Sequence, residues 1–131
     1  MASRLQNTGK KGSDMADESR TMARLACRAL AEKKALDVKV IDIREISVIA
    51  DYFIIGSASN TNQIQAIMDE VEETLYKAGY PCTQKEGNAH STWILMDYKD
   101  IIVHIFSKED RLFYDLEKIW QDGTFVDPKD L

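Results

Sequence analysis

Two stretches of this chain set the terms for any fold it adopts. Tyr52-Phe-Ile-Ile55 and Ile101-Ile-Val-His-Ile-Phe106 are almost uninterrupted runs of β-branched and aromatic residues. A half-exposed strand alternates apolar and polar side chains, whereas a run without alternation reads as a strand covered on both faces. Tyr52–Ile55 reads as such a covered strand and Ile101–Phe106 as a second β-rich apolar run, which, with helical segments to flank them, points to an α/β arrangement. Apolar residues make up 44% of the chain and charged ones 30%, enough apolar surface to bury a core and too much for global disorder.

The remaining segments supply the cover. Met22, Leu25, Ala26, Ala29 and Leu30 fall at helical spacing, with Asp17 and Glu18 early and Lys33 and Lys34 late, charges that suit the helix dipole. A first helix is expected from Met15 to Lys34. Val38–Ile43 reads as a half-buried strand. Ile64, Ile67, Met68, Val71 and Leu75 define a second helix, which Gly79 and Pro81 end and whose outer face carries Asp69, Glu70, Glu72 and Glu73. A short strand is expected near Cys82–Lys85. Trp93–Met96, the polar link Asp97-Tyr-Lys-Asp100 and Ile101–Phe106 form an antiparallel hairpin. Ser107 and Asp110 suit an N-cap pair for a last helix burying Leu112, Phe113, Leu116, Ile119 and Trp120 and ending at Gly123; Tyr114, Asp115, Glu117 and Lys118 line its solvated side. The order is α-β-β-α-(β)-β-β-α, a small mixed sheet flanked by helices. Residues 1–14 are polar and aperiodic and read as a leader or disordered tail, residues 15–122 as a single domain and residues 123–131 as a C-terminal tail.

Several function classes recede at this point. Cys27 and Cys82 form no CxxC and have no His at ligand spacing, so neither a disulfide framework nor a structural zinc site is expected. No apolar run reaches the length of a membrane span and no signal peptide opens the chain; a cytoplasmic protein is expected. With 17 Lys and Arg against 22 Asp and Glu, a net charge of −5, direct nucleic-acid binding through phosphate neutralisation is not expected as the main mode.

The segment Gly56-Ser-Ala-Ser-Asn-Thr61 leaves a buried strand and enters a helix, where free amides can hold a phosphate, but it lacks the Lys-Ser/Thr of a P-loop and the glycines of a dinucleotide fingerprint. Capping is the simpler account of its Ser and Asn residues. Gly56-Ser57 also resembles the start of nucleotidyltransferase sites, yet Ala58–Met68 contains no carboxylate to hold a metal ion. A nucleotide-binding or nucleotidyl-transferring enzyme would have to borrow Asp97 or Asp100. His104, inside an apolar strand, is ordinarily structural, and His90 sits in a polar link that gives a catalytic base no fixed setting. No cofactor or metal is expected.

On an extended strand Trp93, Leu95 and Asp97 share one face, while Ile94, Met96 and Tyr98 share the other. If Ile94 and Met96 turn inward, Trp93 and Leu95 offer an apolar patch suited to a protein partner; plain core is the competing account of Trp93.

Together, Asp51–Asn60, Glu86-Gly87, Trp93–Tyr98, Asp100–Phe106 and Arg111–Trp120 closely resemble the Iojap family, the ribosomal silencing factors known as RsfS, across nearly all of residues 17–121. The resemblance implies a nucleotidyltransferase-like fold without the chemistry. It implies a non-enzymatic regulator that binds the large ribosomal subunit through its fourteenth protein and sterically blocks subunit joining when nutrients run short, with members often homodimeric when free. The partner-facing residues it implies are Trp93, Leu95, Asp97, Tyr98 and Lys99. A large-subunit assembly factor would use the same surface.

Overall fold

The computed structural model describes residues 11–87, 91–108 and 123–131, with side chains from residue 18 onward. The expected last helix, the Asp110 cap and His90 lie outside the described residues. Helix α1 (Lys11–Glu32) and helix α2 (Thr61–Lys77) accompany six strands: β1 (Leu36–Asp42), β2 (Tyr52–Ala58), β3 (Gln84–Glu86), β4 (Trp93–Asp97), β5 (Ile101–Ser107) and β6 (Thr124–Val126). A 3-10 turn spans Pro128–Asp130.

All six strands join one sheet in the order β3-β4-β5-β2-β1-β6. Its centre is the parallel pair β2–β5, in register from Tyr52 opposite Ile101 to Ala58 opposite Ser107; the other neighbours are antiparallel. Every residue of β2 and β5 is buried, as their unbroken apolar character demands. One face of the sheet meets α1 and α2 in a cluster that includes Met22, Ala26, Leu30, Ile54, Ile64, Val71, Ile94, Met96, Val103 and Ile105. Ile41, Ile43, Phe53, Ile55, Ile102 and Phe106 form a second buried cluster, with Leu95 packed against it. Alternation along β5 divides the two: Ile101, Val103 and Ile105 go one way, Ile102 and Phe106 the other.

Three boundaries differ from the sequence reading. Helix α1 starts at Lys11, inside the segment read as a leader. Strand β2 runs on through Gly56-Ser57-Ala58, so the first half of the expected loop is buried strand. A Cβ on Gly56 would lie 3.1 Å from Leu30 Cδ2, so this glycine lets α1 pack closely on the sheet. Thirdly, the segment read as a tail contains β6, which pairs Val126 with Val40 and Thr124 with Asp42 on β1. Its end is tied down too: Arg20 donates to the Asp130 carbonyl (2.6 Å) and Arg24 to that of Leu131 (3.4 Å).

Candidate protein-docking site

Strand β4 alternates as its sequence requires. Ile94 and Met96 are fully buried on the helix side, which leaves Trp93, Leu95 and Asp97 on the opposite face. Trp93 is 38% exposed, and Leu95 and Asp97 are partly buried. Trp93 is therefore neither plain core nor a loose surface residue. Its ring stacks on Phe106, its cross-strand partner, at 5.3 Å and 11°, and its indole N–H donates to His104 Nδ1 at 3.1 Å. Phe53 from β2 closes on His104 with ring centres 4.8 Å apart.

His104 is 4% exposed. Burial pulls its pKa down from 6.5 to about 4, because a charged imidazole loses its hydration there. The ring is neutral at pH 7, and accepting at Nδ1 places its proton on Nε2.

The hairpin turn disposes of the other expected partner residues. Asp97 Oδ1 accepts from the Lys99 amide at 2.7 Å, and Lys99 takes a left-handed φ of 71°; Asp97 is thus the residue that shapes the turn as well as part of the face. Lys99 is exposed. Tyr98 is 4% exposed and belongs to the helix-side core, because it continues the inward series of Ile94 and Met96. Burial pushes its hydroxyl pKa up, with the Cys82 thiol close by. It lies on the opposite side of the sheet from Trp93.

Gly87 supports the site from behind. It has a φ of +100°, and a Cβ there would stand 2.8 Å from the Trp93 carbonyl oxygen.

At the turn into α2 two amides are already taken by side chains. The Ser59 amide donates to Gln63 Oε1 (2.7 Å) and the Gln63 amide to Asn60 Oδ1 (2.8 Å). Gln63 Nε2 in turn caps α1 by donating to the carbonyls of Lys33 and Lys34. The carboxylates an enzyme would borrow lie elsewhere: Asp97 pairs with Ile102 near the start of β5, whereas Ala58 pairs with Ser107 at its end. Five residues of strand separate the two levels by roughly 17 Å. Among the described residues no group of His, Cys, Asp and Glu is arranged to hold a metal ion. A cleft of about 400 Å³ lies by Asp42, Arg44, Glu45, Ile46, Gly123 and Thr124, but Asp42 holds the Arg44 guanidinium at 2.6 Å. No described helix is long and apolar enough to cross a membrane.

A mixed sheet whose β4–β5 hairpin holds a half-exposed tryptophan is a candidate for protein docking, and comparison with known proteins gives the chain a family. Residues 16–131 match the family described as ribosomal silencing factor during starvation. The chain is 36% identical over 106 residues to ribosomal silencing factor RsfS of Halalkalibacterium halodurans, covering 81% of this chain and 91% of the relative. It is 34% identical over 108 residues to RsfS of Bacillus subtilis, covering 82% and 92%. The crystal structure of a protein from Chromobacterium violaceum superposes with a TM-score of 0.74 at 27% identity, covering 77% of this chain and 84% of that one. The chain belongs to the RsfS family of ribosomal silencing factors.

The sequence alone assigned His104 only a structural place. A usable signal was present: in a hairpin turning at 97–100, Trp93 comes opposite Phe106, which sets His104 diagonally across from the indole on the same face.

Proposed function

We propose that this protein docks on the large ribosomal subunit through that subunit's fourteenth protein, using the Trp93, Leu95, Asp97 and Lys99 surface, and that its bulk then keeps the small subunit from joining. Translation is repressed by exclusion, without catalysis, in the cytoplasm, and the free chain pairs with a second copy. The half-exposed indole of Trp93, held over Phe106 on a strand rather than a loop, is the observation that carries the reading. A large aromatic side chain fixed in advance loses little entropy on binding, which is the property of an interface hot spot. Membership of the silencing-factor family supports the ribosome as the target. The net charge of −5 favours encounter with a basic ribosomal protein and disfavours indiscriminate contact with RNA.

Co-sedimentation with purified large subunits tests the proposal. Trp93→Ala should remain folded and lose about 2–4 kcal/mol of binding, and the wild-type chain should slow formation of joined ribosomes from purified subunits. A folded Trp93→Ala variant that binds and blocks joining as well as wild type refutes this surface.

A further inference from the structure

We propose that His104 is a positioning residue for the docking tryptophan: its Nδ1 receives the Trp93 indole N–H and so fixes the orientation in which the indole meets its partner. The inference deepens the docking role of Trp93 and rests on it.

A half-exposed tryptophan on the face of a sheet has room to rotate about its side-chain bonds. Here the ring is held by two neighbours, His104 and Phe106. The N–H is held by His104 at 3.1 Å, the ring lies nearly parallel to Phe106, and it runs nearly parallel to the imidazole as well, at 6.0 Å and 21°. The imidazole is itself wedged between Phe53 and Phe106, so it has little freedom to pass on.

His104 sits among Phe53, Ile55, Ile102 and Phe106, where a leucine or phenylalanine would fill the space without polar atoms to satisfy. Its Nε2 is buried and has no hydrogen-bond partner among the described residues. Leaving a buried donor unpaired is unfavourable; the ring forgoes a partner at one nitrogen while serving the indole with the other. Orientation of Trp93 is the function that accounts for a polar ring at this place. A consequence for recognition follows: with its N–H turned to His104, the indole presents its apolar ring to the partner, so a greasy groove is the matching surface.

The test uses the full chain labelled with nitrogen-15, in which the Trp93 indole resonance is identified by its loss in Trp93→Phe. In His104→Phe, which keeps a flat ring and removes the acceptor, that resonance should move and its exchange with solvent should speed up about tenfold. Affinity for purified large subunits should fall about tenfold, and His104→Phe should cost nothing further in a Trp93→Ala background. Should His104→Phe fail to fold, the smaller His104→Leu is read in the same way. An unchanged indole resonance, or an affinity loss that simply adds to that of Trp93→Ala, overturns the proposal. Normal binding by Trp93→Ala, with the indole resonance still responding to His104→Phe, refutes the docking surface and leaves the pinning of the indole established.

Discussion

Gly87 passes so close beneath Trp93 that a side-chain carbon added to it would stand 2.8 Å from the Trp93 carbonyl oxygen. Its φ of +100° is one that other residues adopt only under strain. Gly87→Ala should therefore destabilise the protein by about 1–3 kcal/mol, and because the displaced backbone is that of Trp93, large-subunit binding should weaken with it. Denaturant titration and co-sedimentation of the same variant check both effects.

Tyr98→Phe should behave differently. The hydroxyl is buried with no hydrogen-bond partner among the described residues, so removing it leaves no donor or acceptor newly stranded. Stability should stay within about 1 kcal/mol of wild type or rise, and large-subunit affinity should be unchanged, since the residue faces the helices. A marked loss of binding would place Tyr98 in the interface after all.

Stability should fall on mild acidification. His104 titrates at about 4 in the folded protein against an ordinary 6.5, so between those values the unfolded chain binds the additional proton. The contribution of this histidine is complete above pH 6.5, declines as the pH drops and is exhausted near pH 4. The full span corresponds to about 3 kcal/mol. Urea midpoints measured from pH 7 to pH 4.5 should show the decline, and His104→Phe should flatten it.

ATP or GTP with Mg²⁺ should leave the melting temperature unmoved. At the turn where a phosphate would sit, the Ser59 and Gln63 amides already serve Gln63 and Asn60. A nucleotide bound at ~100 times its Kd would add about 2.7 kcal/mol, a rise of several degrees for a domain of this size. Such a rise would revive an enzymatic role.

Legibility in the sequence tracked the range over which each feature is decided. Strands β2 and β5 and helix α2 carry their own signatures, in unbroken apolar runs and in Ile64, Ile67, Met68, Val71 and Leu75 at helical spacing; all five of those helix residues are buried. Alternation put Trp93 and Ile94 on opposite faces of β4, but which face turns outward was decided only by the burial of Ile94 and Met96 against the helices. Strand β6 did not announce itself, because Thr124-Phe-Val126 is too short to show a period and becomes a strand only by meeting Val40 and Ile41. The continuation of β2 through Ser57 and Ala58 is likewise imposed by the register with Phe106 and Ser107, against residue types that favour a turn. For Tyr98 two signals pointed differently: alternation grouped it with Ile94 and Met96, whose side is buried, while its place in a family-like motif grouped it with the partner-facing residues. His104 needed the pairing of two strands before its nitrogen could be assigned a task.

The parallel pairing at the heart of the sheet has a temporal side. Each residue of β2 meets one 49 positions further along, from Tyr52 with Ile101 to Ala58 with Ser107, and β1 receives its outer neighbour only from Thr124–Val126. A chain emerging from its amino end can wind α1 and α2 early, yet contacts of such long sequence separation close slowly. The centre of the sheet therefore waits for β5 and the outer side of β1 for β6, so the tryptophan on β4 gains its rigid setting later than the helices gain theirs.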